Sequence, residues 1–373
     1  MKSIQSVIAD NGGQAPGFFF LRHALAIVII IFHSYVIVVG LDLSAAEHKG
    51  DVAGHAASLT TAQFVVELLR PGLFSLVGAF FVLSGFLVFG SALRVRKVKP
   101  FLALRLLRIA PALLTEVTLS ALVLGPLVTT LSLGAYFSDP KFWTYFLNIV
   151  GMVHFELPGV FQTNPFPNIV NINLWTLPPE FYCYALLAVL MWLFRNHLQL
   201  AVIIAATGGF VWFAAGELVF DIPVRANSTR YTGAYIVYLF GFGAAFMALS
   251  GRVRFSLPLF LAAAASYYIL TLFRISDVAA SIPLAYATVY LGCCTFRWFD
   301  NMLKSDLSYG LYLYGFPISQ TLMFVLAPHM QGLNAASTVA AIAGLSIILT
   351  LIFAKLSWTF VEKPFLRFRK HFS

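Results

Sequence analysis

Residues 21–36 read LRHALAIVIIIFHSYV, and this stretch decides the class of fold because it is apolar enough to cross a membrane. It nevertheless carries a charged side chain, Arg22, near its start and a titratable one, His33, further along. An ionisable group inside the hydrocarbon core costs about 3 kcal/mol or more. We therefore expect both side chains to face the protein interior and to have a function.

The composition of the whole chain agrees with a membrane protein. Of its 373 residues, 60% are hydrophobic and only 10% are charged, whereas soluble domains carry about 25% charged residues. The net charge of +9 does not indicate nucleic-acid binding, because the basic residues form short runs between apolar segments. Three cysteines, Cys183, Cys293 and Cys294, lie in apolar stretches and show no metal-binding spacing.

Since a helix needs about 20 apolar residues to cross a bilayer, the chain is predicted to be an all-α polytopic membrane protein with about ten transmembrane helices. It forms one predicted domain, residues 1–373. The predicted spans are 17–41, 71–93, 102–131, 172–194, 199–218, 232–250, 255–273, 282–297, 308–328 and 335–361. Residues 142–153 predict an interfacial or re-entrant piece, and the polar stretches 42–62 and 154–171 predict loops on the outside.

The basic residues predict which side faces the cytoplasm. With the N-terminus inside, the inside loops hold 14 lysines and arginines and the outside loops hold 6. Those six are Lys49, Arg70, Lys141, Arg225, Arg230 and Arg274. Because cytoplasmic loops collect positive residues, both termini are expected to be cytoplasmic.

Arg22 and His33 are predicted to share one face of the first helix. Their separation of 11 residues places the side chains about 20° apart around the axis and about 16 Å apart along it. Arg22 then lies near the cytoplasmic end and His33 near the middle of the membrane. Either residue alone has a structural explanation, as an arginine extended to the headgroups or a histidine bonded to a carbonyl, but the shared face favours a functional pair.

The third predicted span carries Arg105 and Arg108, which share a face because they are three residues apart. Two guanidinium groups at one end of a helix are typical of a phosphate-binding clamp. Glu116 lies deeper on the same helix. We expect it either to pair with one of the arginines or with Lys355, or to have a role in the site.

The fourth predicted span begins NLWTLPPEFYCY, residues 173–184. Trp175 is expected at the outer interface of the membrane, and Pro178 and Pro179 are expected to distort the first turns. Glu180 is then a carboxylate near the outer surface. It either interacts favourably with the helix dipole or belongs to the site.

Two other stretches allow a structural and a functional interpretation. Ser84 and Gly85 stand among bulky residues, which favours close helix packing over a groove for a thin ligand. Tyr309, Tyr312 and Tyr314 lie near the cytoplasmic end of the ninth predicted span, where they either form an aromatic belt or stack on a flat ligand such as adenine.

Six sequence blocks together resemble the acyltransferase-3 family of integral membrane acyltransferases, in its stand-alone form. They occur in the family's order and cover almost the whole chain. The blocks are Arg-x10-His at Arg22 and His33, FFVLSGFL at 80–87, RxxRIxP at 105–111, WTLxxE at 175–180, SYxLYL at 308–313 and FxEKP at 360–364. The chain departs from the family at His23, where glycine is common, and at Gly315, where histidine is common.

The resemblance implies an acyl-CoA donor, usually acetyl-CoA, on the cytoplasmic side of a bacterial inner membrane, and no metal. The implied acceptor is a sugar hydroxyl of a cell-surface polysaccharide or a lipid-linked saccharide. The residues implied in the site are Arg22, Arg105, Arg108, Tyr309 and Tyr312 for the donor, His33 and Glu180 for catalysis, and Trp175 and Glu180 for the acceptor. His33 either deprotonates the acceptor or takes the acyl group itself.

A proton-coupled secondary transporter is the alternative, because it would also carry ionisable residues in its spans. His33, Glu116, Glu180 and Lys355 would then form a proton relay. Against this alternative, the sequence has no pair of broken helices in corresponding halves, and its arginine clamp lies on one side only. Membrane lipid is the expected environment, and no sequence feature indicates an oligomeric state.

Overall fold

The computed structural model describes residues 2–13, 15–40, 61–220, 222–227, 230–296, 298–299 and 305–371. The described residues are mostly helical. The α-helices are α1 (Ile4–Asp10), α2 (Phe18–Val39), α3 (Thr61–Val95), α4 (Val98–Leu119), α5 (Gly125–Val128), α6 (Leu133–Ser138), α7 (Pro140–Tyr145), α8 (Leu177–Leu193), α9 (Leu198–Ala215), α10 (Gly233–Ala248), α11 (Leu257–Leu272), α12 (Asp277–Cys293), α13 (Ser308–Leu326), α14 (Ala335–Ser357) and α15 (Lys363–Leu366). Strands β1 (Arg225–Asn227) and β2 (Arg230–Tyr231) pair antiparallel.

Shorter helical turns continue or connect several of these helices. The π-helical turns are Ser120–Leu124, Gly216–Phe220 and Trp358–Glu362. The 3₁₀ turns are Phe146–Val150, Ile172–Thr176, Ala327–His329 and Arg367–His371. Residues 142–150 fall in α7 and the 3₁₀ turn after it, which are too short to span a bilayer, and residues 151–153 are irregular. The interfacial location of 142–153 stays a prediction.

Seven helices among the described residues are long and apolar enough to cross a membrane. They are Phe18–Val39, Glu67–Val95, Val98–Val128, Ile172–Leu193, Leu198–Phe220, Ser308–His329 and Ala335–Lys370. The other three predicted spans coincide with α10, α11 and α12, which are shorter apolar helices. The helical architecture with several candidate spans is thus confirmed, whereas the count of ten and the cytoplasmic location of both termini stay predictions.

Local sequence signals set several helix ends. The side-chain oxygens of Thr232, Ser276 and Asn334 accept hydrogen bonds from the N–H groups three residues later and cap α10, α12 and α14. Helix α2 ends at Val39 and is followed by Gly40, whose φ of +65° is the left-handed conformation that glycine adopts most readily after a helix end.

The chain divides into two compact units, each assembled from segments that are distant in sequence. The first unit combines Met1–Leu21, Leu43–Val98 and Tyr182–Asp300, and the second combines Arg22–Asp42, Lys99–Phe181 and Asn301–Ser373. The organisation as one domain over residues 1–373 stays a prediction.

In the first unit, α3 and α10 pack with their backbones almost in contact. A Cβ atom at Gly85 would lie 1.9 Å from the carbonyl oxygen of Phe240, and one at Gly243 would lie 1.9 Å from the carbonyl oxygen of Val82. Backbones approach this closely only where the residue has no side chain. The interpretation of Gly85 as a close-packing residue is therefore confirmed.

In the second unit, α13 packs against α14 and against the chain that precedes α8. The stretch 154–171 is irregular, as predicted for a loop, but Phe161 and Asn171 in it are fully buried. Asn164 donates a hydrogen bond to the Gln320 side chain at 2.7 Å, and Gln320 donates to the carbonyl oxygen of Ile169 at 2.8 Å. The Gln320 amide satisfies a backbone carbonyl group that water would otherwise have to satisfy, so the buried part of this loop is packed along α13.

Candidate active site

The candidate site lies in the second unit, where one face of α2 meets α13 and the turn before it. Nη2 of Arg22 lies 3.1 Å from Oδ2 of Asp306. The His33 imidazole lies edge-on to the Phe316 ring, with 5.2 Å between the ring centroids. Arg22 and His33 therefore face the same element, which confirms the shared face predicted from their spacing.

Asp306 brings two of the predicted clamp residues together. Arg108 donates a hydrogen bond to Oδ2 of Asp306 at 2.8 Å, and this is the same oxygen that Arg22 contacts. Burial alone would raise the pKa of Asp306, but the Arg108 and Arg22 guanidinium groups outweigh that effect and lower it below its ordinary value. The carboxylate is therefore ionised at neutral pH.

Sequence reasoning missed Asp306, although it stands two residues before the SYxLYL block. Its other oxygen, Oδ1, accepts a hydrogen bond from the Ser308 hydroxyl at 2.6 Å, which fixes the carboxylate at the start of α13. Leu307 in the same turn donates its N–H to Nε2 of His23 at 3.1 Å. His23 is buried, so a residue that appeared only as a departure from the family holds this turn.

Arg108 and Arg22 remain open to a ligand on part of their surface, since their side chains are 26% and 25% exposed. Arg105 lies one turn before Arg108 on α4, and its guanidinium carbon is 5.9 Å from the centroid of the Phe101 ring. Asp306 thus joins Arg108 of α4 to Arg22 of α2, while Arg105 lies one turn from Arg108 on α4.

Trp175 and Glu180 lie closer to the arginines than expected. The hydroxyl of Thr176, between them, is 3.0 Å from the hydroxyl of Tyr312, and Glu180 interacts electrostatically with the same tyrosine. Tyr312 lies only about 9 Å along α13 from Asp306. This segment therefore lies beside the first turns of α13, near the arginines, and the membrane surface that it faces stays a prediction.

Two asparagines draw this segment towards α13. Asn171 donates to the carbonyl oxygen of Leu313 at 2.9 Å, and Asn173 donates to that of Tyr312 at 2.5 Å. Pro178 and Pro179 take the second and third positions of α8, where a missing N–H removes no helical hydrogen bond. They therefore lie in the first turn of α8, directly after the 3₁₀ turn Ile172–Thr176.

The tyrosines in and directly after the SYxLYL block are bonded within the protein. The Tyr309 hydroxyl donates to the carbonyl oxygen of Ile109 at 3.4 Å, a long contact, and Tyr314 donates to Ser357 at 3.2 Å. Stacking of Tyr309 or Tyr312 on a ligand stays a prediction.

Glu116 does not make the ion pair expected for it. One of its oxygens accepts hydrogen bonds from Ser120 and from Asn171, both at 2.9 Å, while Lys355 donates to Ser305 at 3.1 Å. Two members of the relay that the transporter alternative requires therefore have other partners. Among the residues that the structure describes, no group of three or more His, Cys, Asp or Glu is placed to hold a metal ion.

The His33 imidazole has one nitrogen available for chemistry. Its Nδ1 atom is buried and has no hydrogen-bond partner among the described residues, so the explanation that this nitrogen satisfies a buried carbonyl has no support. The second unit thus combines two converging guanidinium groups at one end with an imidazole about 16 Å further along the same helix face. Such an arrangement can bind an anionic group and handle a proton or an acyl group at a distance from it.

Apolar helices that carry cationic and titratable side chains on their inner faces define an integral membrane protein with a site inside the bundle. The chain matches the family described as an acyltransferase domain over residues 20–355. It therefore belongs to the acyltransferase-3 family and is a membrane acyltransferase.

Two curated relatives match the chain over most of their length. The chain is 26% identical to the O-acetyl transferase of Shigella phage Sf6 over 302 residues, which is 77% of this chain and 83% of the relative. It is 27% identical to nodulation protein 10 of Rhizobium leguminosarum bv. viciae over 345 residues, which is 84% of this chain and 88% of the relative. No solved structure matches the chain significantly.

Proposed function

We propose that this protein transfers an acyl group, in the first instance acetyl, from acyl-CoA to a sugar hydroxyl of a cell-surface or lipid-linked glycan. Family membership and the likeness to an O-acetyl transferase support the reaction class. The proposed location is a bacterial inner membrane. No observation favours the transporter alternative.

The observation that supports acyl-CoA as the donor is the convergence of Arg22 and Arg108 on one carboxylate oxygen of Asp306. Coenzyme A carries phosphates at one end and its thioester at the end of a long, thin arm. The arginines, with Arg105 beside them, would bind the phosphates, and Tyr309 and Tyr312 would contact the donor nearby. The arm would then follow the face of α2 for the roughly 16 Å that separate the arginines from His33.

His33 would act on the thioester in one of two ways, and both balance. As a general base, it takes the proton of the sugar hydroxyl while the oxygen attacks the thioester carbonyl. The C–S bond then breaks, and the imidazolium returns the proton to the departing thiolate. As a nucleophile, its ring nitrogen takes the acyl group while the C–S bond breaks, and the imidazole N–H proton passes to the departing thiolate. The sugar oxygen then takes the acyl group from the nitrogen, and the hydroxyl proton returns to the imidazole.

Trp175 and Glu180 would serve the acceptor. The Glu180 carboxylate, beside Tyr312, would lie between the level of the arginines and that of His33. There it could accept hydrogen bonds from sugar hydroxyls or orient the imidazole. The indole of Trp175 provides a flat apolar surface of the kind on which sugar rings stack. With cytoplasmic termini, the donor would enter from the cytoplasm, and the acceptor would have to reach this depth to meet it.

Replacement of the histidine tests the proposal. Surface glycans of cells that express wild-type protein should gain the mass of one acetyl group, and cells that express His33→Ala protein at the same level should show no gain. His329→Ala is the matched control, because His329 is exposed beyond the far end of α13 and its loss should leave acetylation unchanged. Normal acetylation in the His33→Ala cells would contradict the proposed mechanism.

A further inference from the structure

The turn of residues 305–307 before α13 is held from several sides at once. Asp306 contacts Arg22, Arg108 and Ser308, and the N–H of Leu307 is bonded to His23. Two helices that are distant in sequence, α2 and α4, and the start of α13 therefore converge on one short segment. This degree of fixation is more than a connection between helices needs.

The contacts of Asp306 offset the repulsion between the guanidinium groups of Arg22 and Arg108. Because Nη2 of Arg22 and Nη2 of Arg108 both lie within 3.1 Å of Oδ2, they are at most about 6 Å apart, a distance at which two like charges repel strongly in a partly buried site. A single carboxylate between them cancels that repulsion. It uses one nitrogen of each guanidinium in the contacts above, and Nε of Arg22 is buried with no hydrogen-bond partner among the described residues.

We propose that Asp306 is a positioning residue that keeps Arg22 and Arg108 converged before the donor binds, and that His23 fixes the turn that carries it. The inference rests on the proposed function, since it assigns the arginines to the phosphate groups of acyl-CoA. Asp306 contacts neither the thioester nor the acceptor in this scheme. It acts through the two guanidinium groups, whose convergence would offer a phosphate two cationic partners at once.

The role of His23 follows from the direction of its hydrogen bond. Nε2 accepts the N–H of Leu307, so this nitrogen must carry a lone pair and the ring must be neutral. The side chain is only 1% exposed, and its loss would leave the Leu307 N–H without this partner and a space beside the turn. Asp306 would then keep its charge but lose its fixed position.

A positioning role predicts a change in donor binding with little change in the chemical step. Asp306→Asn keeps the shape of the side chain and removes its charge. We expect its KM for acetyl-CoA to rise about tenfold or more, with kcat at saturating donor within about twofold of wild type. A general structural defect would lower kcat at saturating donor as well.

The test uses full-length protein purified in detergent, with coenzyme A as the probe in titration calorimetry and acetyl-CoA in turnover assays. His23→Ala should weaken coenzyme A binding, and His23→Gln, whose side-chain oxygen can take the place of Nε2, should restore most of it. Lys141→Ala, which removes an exposed ion pair with Glu156, is the control and should bind as wild type does.

The outcomes separate the inference from the proposed function. If wild-type protein does not bind coenzyme A, the proposed donor is wrong and the inference falls with it. If wild-type protein binds and Asp306→Asn binds equally well or more tightly, Asp306 competes with the donor or is irrelevant to it, and the inference alone is overturned. Equal loss in His23→Gln and His23→Ala would likewise overturn the role given to His23.

Discussion

The close packing of α3 against α10 gives a sharp prediction for the substitution Gly85→Ala. The new Cβ atom would lie 1.9 Å from the carbonyl oxygen of Phe240 and 2.8 Å from its carbonyl carbon. An ordinary non-bonded contact is about 3.5 Å, so the two backbones would have to move apart by more than 1 Å. No side-chain rotation can relieve this contact, because the atoms it meets belong to the backbone of α10.

The size of the effect follows from that geometry. Overpacking of a well-packed interior costs about 1–3 kcal/mol, and a clash with backbone belongs at the upper end, about 3 kcal/mol. The reciprocal contact at Gly243, where a Cβ would lie 1.9 Å from the Val82 carbonyl oxygen, would loosen at the same time. For a chain of this size we expect the melting temperature to fall by about 4 °C.

Gly241→Ala, on the same helix α10, is the matched control. A Cβ at Gly241 meets no atom of the described residues within 4 Å, and alanine favours the helical conformation by about 1 kcal/mol over glycine. The control should therefore melt at or slightly above the wild-type temperature. Both variants would be measured by thermal unfolding of purified protein in detergent, and equal melting temperatures for Gly85→Ala and Gly241→Ala would refute the packing argument.

Four further predictions concern the second unit and the topology. Arg108→Lys retains the charge but loses the planar fork that binds phosphate bidentately, so coenzyme A binding measured by calorimetry should weaken about tenfold. Unchanged binding would mean that Arg108 only marks the cytoplasmic side of the membrane and does not bind phosphate. Asn171→Ala removes hydrogen bonds to a buried carboxylate and to backbone groups. Thermal unfolding should show a free energy of unfolding lower by about 3 kcal/mol, and a loss below about 1 kcal/mol would contradict the burial of this loop. Because the folded-state pKa of Asp306 lies below its ordinary value, its contribution to stability is complete above that ordinary value and is lost as the pH falls through the folded-state pKa. The melting-temperature difference between wild type and Asp306→Asn should therefore be constant near neutrality and shrink only below about pH 4, and a decline beginning near neutrality would contradict the ion pairs. In intact cells, an impermeant thiol reagent should label a cysteine at Gly332 and not one at Val98, and the opposite pattern would invert the predicted topology.

The sequence by itself determined the features that depend on local periodicity. The spacing of Arg22 and His33 placed both on one face of α2, because a helix repeats every 3.6 residues whatever packs against it. The apolar segments predicted the positions of the helices for the same reason. Gly85 predicted a close approach because only a residue without a side chain permits one, although the sequence did not show that α10 is the partner.

Only the tertiary structure decided the contacts between residues far apart in sequence. Asp306 is 198 residues from Arg108, and no periodicity relates the two, so the carboxylate that joins the arginines had no signal beyond its place before a sequence block. The sequence separated Glu180 from the arginines, because hydropathy assigns the start of its span to the opposite membrane surface. The side-chain amides of Asn171 and Asn173 instead hold that start against the first turns of α13. The sequence does not show this packing, because it depends on which distant carbonyl groups are available to accept the hydrogen bonds of these amides.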